Sequence, residues 1–456
     1  MFRKVEIWVL YLIILFFLAV TVLVAALARQ ELVGEKKFGK FSKTALFIAE
    51  IPHNFYNALT LNQDLIVEDR FPDKAGFIGK PNNQELYLLL SRYDGDLAES
   101  IVELVDLRTF ETIHTWNPDY KEIIEKTLET GSIEFAEFTS VRNESRMRII
   151  HPILFEDGSL LVQDASPLNR IDFCSNLIWQ NAHDNFHHSI EKDEEGNIWV
   201  SSWMYPYGFD SKYVGTDNLV LLDEGITKLS PDGEVLYQKS VSEIFIENDM
   251  RYLLFSIYVD RYSDDPIHMN DIQPVMKDGP YWKKGDVFLS FRHQSMVMLY
   301  RPSTNQVIWK GVGKFYNQHD VDILNDHQIA IFNNNSVNSF DGIVVYGTNE
   351  VLIYDFETNE YSSYLRDSMT KNDIRSITEG RSEILDNGDL YIEETNYGRT
   401  LYFNNDGSLR WEHINRAENG NIYPVGWSRI LYTPRDLDIV RAVINKKGGS
   451  ETCSEK

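Results

Sequence analysis

From about residue 85 onward, apolar and polar positions alternate in short runs of four to eight residues, closed off by Gly, Asp and Asn. A period of two marks a β-strand with one face turned to a core. A strand–turn–strand unit ending near an aromatic recurs six times: Ile101–Trp116, Leu168–Trp179, Ile226–Tyr237, Met296–Trp309, Val351–Tyr361 and Thr400–Trp411. The closing aromatics lie 63, 58, 72, 52 and 50 residues apart. A second hairpin precedes most of them, turning at Gly158, Gly196, Gly285 and Gly388, and at Asn325–Asp326 in one repeat. Two hairpins per repeat make a four-stranded blade, and blades set radially make a propeller. The expected fold is all-β, a six-bladed β-propeller over 85–445. The strands of 422–433 return to share one blade with the first hairpin. Helical windows are scarce, and Tyr120–Thr130 reads as one helix between strands. Trp116, Trp179, Trp309 and Trp411 read as blade-packing residues.

The amino-terminal pattern is different. Ile7 to Ala28 is a run of 22 residues without a charge, about 33 Å as a helix and enough to cross a bilayer core. Arg3 and Lys4 precede it. Ala26–Leu27–Ala28 resembles a signal-peptidase site, but the run exceeds the usual signal core of about 7–15 residues. A single transmembrane anchor over 1–30 is therefore expected. Arg29, Lys36, Lys37, Lys40 and Lys43 follow the span and by the positive-inside rule argue for a cytoplasmic domain. The short basic leader argues for export. Export is the expectation, with the propeller on the extracytoplasmic side. Residues 31–84 read as a juxtamembrane connector, with Leu46–Ile51 a short helix or strand, and 446–456 as a disordered tail.

Composition narrows the function. Hydrophobic residues are 43% of the 456, so core material is ample. Sixty-nine acidic against 44 basic residues give a net charge of −25, which repels phosphate backbones and argues against nucleic acid as a partner. An anionic substrate then needs a local positive site. Two cysteines, Cys174 and Cys453, exclude a disulfide scaffold and a multi-cysteine zinc site. Asn143–Glu144–Ser145 and Asn334–Asn335–Ser336 match the glycosylation acceptor pattern.

The histidines are unevenly placed. Seven of eleven lie between His183 and His327, several just before the first strand of a hairpin pair. In a propeller that strand lines the axis. His187 or His188, His268 with Asn270, and His319 would then converge at one channel mouth. No HxH or HExxH pair points to a metal, and no cofactor is expected. His183, His293 and His327 read as structural or solvated.

Three ordered strings carry a resemblance. They are His268–Met269–Asn270 followed by Ser290–Phe291–Arg292, the turn Trp309–Lys310–Gly311–Val312–Gly313, and Gln318–His319–Asp320 followed by Asn333–Asn334–Asn335. In this order the chain resembles the nucleotide-independent arylsulfotransferase family. The resemblance is good over about 180–340 and weaker in the other blades. It implies a propeller with a central active site and a ping-pong transfer of a sulfuryl group from a phenolic sulfate ester to a phenol. His319 matches the nucleophile that becomes sulfated. His268 and Asn270 match residues that hold the sulfate and assist proton transfer, and Arg292 matches its anchor. His188, or His187 beside it, matches a further active-site histidine. Asp320 either orients His319 or caps a turn. The residue types suit the chemistry. A guanidinium offers a planar fork to two sulfate oxygens, a neutral imidazole is a nucleophile, and a second imidazole can move the phenol's proton. Gly311–Val312–Gly313 departs from the family's Gly-Gly, and the Asn-rich turn from its Asp-Asn, which leaves open an inactive propeller that binds a ligand or protein at its channel mouth.

Overall fold

The computed structural model describes residues 6–32, 38–60, 65–130, 147–163, 167–182, 185–204, 206–210, 221–256, 263–339, 342–448 and 453. His183 and the Asn143 acceptor lie outside them. The chain divides into two compact units, Met1–Asp64 and Leu65–Lys456.

The first unit holds the helix Ile7–Leu32, whose stretch Ile7–Gln30 is long and apolar enough to cross a membrane. A second helix, Lys40–Thr60, absorbs the apolar run Leu46–Ile51.

The second unit is a ring of six four-stranded antiparallel blades. Blade I joins the two ends of the ring: Arg429–Leu431 is innermost and pairs with Tyr87–Asp94, which is followed by Glu99–Asp106 and Glu111–Trp116. Blade II runs from Ile153–Leu154 to Leu177–Asn181, blade III from Asn185–Lys192 to Val235–Ser240, and blade IV from Met269–Pro274 to Gln306–Val312. Blade V runs from His319–Ile323 to Glu360–Tyr364 and blade VI from Arg381–Ile384 to Leu409–Ile414. All six predicted outer hairpins form the outer strand pairs. The helix Tyr120–Thr130 links blades I and II.

Each blade buries both faces, and an apolar cluster fills each of the six junctions. Val287–Phe291 of blade IV shows how. Val287, Leu289 and Phe291 pack toward blade III, while Phe288 packs toward blade V, as alternation across a strand requires. Trp116 and Trp411 are fully buried in two of these clusters. Trp309 stacks on Tyr354 and Trp179 packs between blades II and III, so none of the four lines the axis.

Three features extend the ring beyond its predicted limits. Gly76–Gly79 pairs with Trp411–Ile414 as a fifth strand of blade VI, so the unit begins at Leu65 rather than 85. The helix Pro434–Gly448 continues past the predicted start of the tail and buries Ile439, Val440 and Val443 against blades I and II. Cys453 then forms a disulfide with Cys174 of blade II, with Cα atoms 5.3 Å apart and 279 residues between them. The two cysteines form no scaffold, but they staple the chain end to the ring. Closing so long a loop stabilises by roughly 5–6 kcal/mol in the chain-entropy view, against about 2–4 for a typical disulfide. Reduction is therefore expected to lower the calorimetric melting temperature by several degrees, and Cys174→Ser to do the same without reductant. An unchanged melting temperature on reduction would count against the staple.

Candidate functional site

The inner strands of blades III, IV and V do not run regularly. Their pairing shifts at Val200/Ser201, Met269/Asp271 and His319/Val321. These are β-bulges, which re-aim side chains at the rim of a sheet. His188, His268 and Asp320 take left-handed backbone there, with φ of 58°, 53° and 52°, as do His151 and Trp427 nearby. Such conformations cost of the order of 1–3 kcal/mol each for a non-glycine residue and gather at functional sites.

Side chains on the inner strands offset part of that cost by bonding across blade boundaries. Ile272 N–H donates to Ser189 Oγ (3.0 Å), Val321 N–H to Asp271 (2.8 Å), and Ser382 N–H to Asp320 (2.9 Å). Glu393 accepts from the N–H groups of Trp427 and Ser428. Gln318 Nε2 donates to Ser290 Oγ and to two carbonyls of blade IV, and Asn270 Nδ2 donates back to Gln318 O at 2.8 Å. Blades III to VI are thus laced together around the axis.

The lacing brings five of the predicted residues together, His187, His188, His268, Arg292 and His319. The ring centroids of His188 and His268 are 5.2 Å apart, and those of His188 and His319 are 6.5 Å apart. His187, His188, His268 and Arg292 line a cavity of about 380 Å³ walled by Trp203 and Trp427, within the size range of small-molecule sites. His319 is fully buried and lies behind that wall, in ring contact with His188 and Trp427. Its Nδ1 is 2.8 Å from Asn334 Oδ1, and its Nε2 has no hydrogen-bond partner among the described residues. Burial, and then the charge of Arg292, hold His319 well below the usual histidine range. Burial, and then the neighbouring imidazoles, do the same to His188. Both rings are neutral at pH 7.

Arg292 is held by His293. Its Nη1 is 2.8 Å from His293 Nε2, and His293 Nδ1 donates to the carbonyl of Asp265 at 2.7 Å, so Nε2 is the acceptor. His268 Nδ1 donates to the Asp265 carboxylate at 2.5 Å, and His268 and His293 lie 4.4 Å apart by ring centroid. Burial pushes Asp265 up, but the bond from His268 and the surrounding imidazoles outweigh it and hold the carboxyl below its usual range. Asp265, His268 and His293 are close enough to suggest a metal triad. Both His293 nitrogens are already committed, however, and a guanidinium sits beside them.

His187 shares a hydrogen with His188 between their Nδ1 atoms at 2.7 Å, and its Nε2 is 3.0 Å from Glu224. Asn270 is buried beside the site, with its Oδ1 unpartnered among the described residues. Asp320 is the exception. Its carboxylate accepts from Ser382 and lies 3.8 Å from Arg381, and it makes no bond to His319. Asn334 holds His319 instead, from the Asn-rich turn that also matched a glycosylation acceptor. Asn334 is fully buried and its amide is hydrogen-bonded, so it offers no room for a glycan. His293, read as solvated, is a partner of Arg292. Asp265, three residues before His268, was legible only as proximity, and Glu224, Trp203 and Trp427 gave no signal at all. His327 does sit on a hairpin turn, between the two inner strands of blade V, against Asp326.

A six-bladed β-propeller with an imidazole-rich, cationic site on its axis defines the class. The chain matches the Arylsulfotransferase (ASST) family over residues 151–416, more than half its length, and belongs to that family. That match takes in blades II to VI and every residue of the site placed above except Trp427. A comparison with curated proteins finds no match. Among solved structures the chain is similar to a protein of unknown function from Bacteroides caccae (12% identity, TM-score 0.44, covering 76% of this chain and 99% of that one). It is also similar to a streptogramin B lyase (10%, 0.38, 80% and 96%) and to the Pan2 WD40 domain of Neurospora crassa (8%, 0.37, 74% and 78%). At these scores the likeness carries nothing about activity.

Proposed function

We propose that this propeller moves a sulfuryl group from an aryl sulfate ester to a phenol through a sulfated His319. The observation that carries this reading is the Nε2 of a neutral, buried imidazole, left unpartnered beside Arg292, His188 and His268. In the first half-reaction Nε2 attacks sulfur and the bond from sulfur to the aryl oxygen breaks. The leaving phenolate takes its proton from His268, whose Nδ1 is fixed on Asp265. In the second half the acceptor phenol returns a proton to His268, its oxygen attacks sulfur, and the N–S bond breaks. Arg292 holds the non-bridging oxygens, where a fixed cation meets the charge that spreads in the transition state. Because His319 lies behind the cavity wall, a side-chain rotation of His188 or Trp427 precedes attack. The direct test is release of nitrophenol from p-nitrophenyl sulfate with a phenol acceptor and no nucleotide. A purified chain that transfers from none of a panel of aryl sulfates would sink this reading.

The neutral nucleophile has a consequence for pH. A histidine at its ordinary 6.5 would lose about tenfold in neutral fraction between pH 7.5 and 5.5. His319 is held well below that value, so it stays neutral across the interval. The burst of nitrophenol is expected to change by less than about twofold over this range, since a good leaving group needs little help from an acid. A tenfold fall centred near 6.5 would contradict it.

We also place the propeller on the extracytoplasmic side, with the Ile7–Leu32 helix as its anchor. The disulfide supports this, because such bonds persist in oxidising compartments. A reporter fused after residue 448 should be active only in a form that works outside the cytoplasm.

A further inference from the structure

The amide of Asn334 has only one orientation that satisfies its surroundings. Its Nδ2 donates to the carbonyls of Ser376 (3.1 Å) and Glu379 (2.9 Å). Carbonyls only accept, so a flipped amide would set oxygen against two oxygens. The atom facing His319 Nδ1 at 2.8 Å is therefore Oδ1. An amide oxygen only accepts, so His319 carries its proton on Nδ1, and the lone pair of the neutral ring is on Nε2. The partners of Asn334 are themselves fixed. Asn349 Nδ2 donates to Asn334 O (2.7 Å) and to Ser376 O (2.9 Å). Asn396 Oδ1 accepts from the N–H groups of Ile377 (2.8 Å) and Thr378 (2.9 Å). Thr378 and Glu379 line the cavity, and Glu379 pairs with Arg148 at 2.8 Å. One buried asparagine thus joins the ring behind the cavity to the loop that forms part of its wall.

We infer that Asn334 is a positioning residue that sets the tautomer of His319, presenting Nε2 as the sulfuryl acceptor without a general base. This rests on the reading of His319 as nucleophile. The comparison with serine enzymes gives the scale, since a wrong histidine tautomer there costs about 10⁴-fold in turnover.

Two variants separate this role from a merely structural one. Asn334→Leu and Asn334→Asp both remove the Nδ2 donors to Ser376 and Glu379, and the aspartate, which sets a carboxylate oxygen against those carbonyls, disturbs the loop at least as much as the leucine. Only the aspartate keeps an acceptor for Nδ1–H. In Asn334→Leu the nitrophenol burst should fall by about 10²–10⁴-fold. Asn334→Asp should keep at least ten times more of it. The added carboxylate favours the charged imidazolium, so this variant should lose rate as pH falls, where the wild type does not. Nitrogen NMR of the full chain in detergent, with labelled histidine, reads the tautomer without reference to activity. A protonated Nδ1 at His319 in the wild type, moved to Nε2 in Asn334→Leu, is the expected result. Equal loss in both variants overturns the proposal, and so does a folded Asn334→Leu that keeps its burst or its Nδ1 proton. If instead His319→Ala keeps transferring, the nucleophile reading falls, while the NMR result still decides whether Asn334 sets the tautomer.

Discussion

His319→Ala is expected to reduce transfer to the background rate, a loss of at least about 10⁴-fold in kcat of the order seen when a covalent nucleophile is removed. His188 and His268 are likewise held at Nδ1, so the site of the adduct has to distinguish the three rings. The loss must appear in a particular place. Without acceptor, the wild-type chain should release one equivalent of nitrophenol and stop, holding the sulfuryl group on His319. Mass spectrometry of the quenched protein should find that adduct on the peptide containing Gln318–Asp320, and His319→Ala should show neither burst nor adduct. His268→Ala should behave differently. With nitrophenyl sulfate the leaving group departs unaided, so its burst survives, while turnover with a weakly acidic phenol acceptor slows because no base takes the proton. Removing the imidazole also strands the Oδ1 of Asn334, which costs about 1–3 kcal/mol when a buried polar group loses its partner. A circular dichroism spectrum at the assay temperature must therefore accompany the measurement. A folded His319→Ala chain with measurable transfer would assign the nucleophile elsewhere.

The outer hairpins were legible because each repeats a period of two between turn residues, and the axis follows from counting them. The convergence of His188, His268 and His319 was legible for the same reason: each falls in or next to the first half of an innermost strand. What escaped was local. Asp320 is next to His319 in sequence, and adjacency left open whether its carboxylate orients the imidazole or caps a turn. A bulge with left-handed backbone at Asp320 sends that carboxylate to Ser382 in the following blade. A one-residue irregularity of this kind leaves no trace in a hydrophobic pattern. Asn334 was visible as part of an Asn-rich turn, but only the fold places it just past the end of the strand that pairs with His319. His293 reads as a turn residue because it is one; what makes it part of the site is that the turn after Phe291 points at the axis. Gly76–Gly79 is too short to register as a strand, and Cys453 could be paired with Cys174 only once the carboxy-terminal helix had carried it to blade II.

Arg292→Ala is expected to lower kcat/KM for aryl sulfates by about 10³-fold, within the range for loss of a preorganised donor to a developing anion. In a chain of net charge −25 the cavity must supply its own positive field, and the other arginine on its wall, Arg148, is already paired with Glu379. Arg292→Lys should recover only about tenfold, because an ammonium keeps the charge but not the planar fork that meets two sulfate oxygens. His293→Phe keeps the ring against His268 and removes the acceptor that holds Nη1. Its effect should fall mainly on KM and stay near tenfold, since the guanidinium remains but loses the contact that holds Nη1. The pH profile separates charge from shape. Arg292 is, after burial, the largest influence holding His319 below its usual range. In Arg292→Ala that influence is gone, so protonation of His319 moves up toward neutrality and the burst should acquire an acid limb that the wild type lacks. Arg292→Lys, with its charge in place, should stay flat. If Arg292→Ala loses rate with no change in its pH profile, Arg292 binds sulfate without governing the nucleophile. If neither its rate nor its pH profile changes, sulfate is bound elsewhere in the channel.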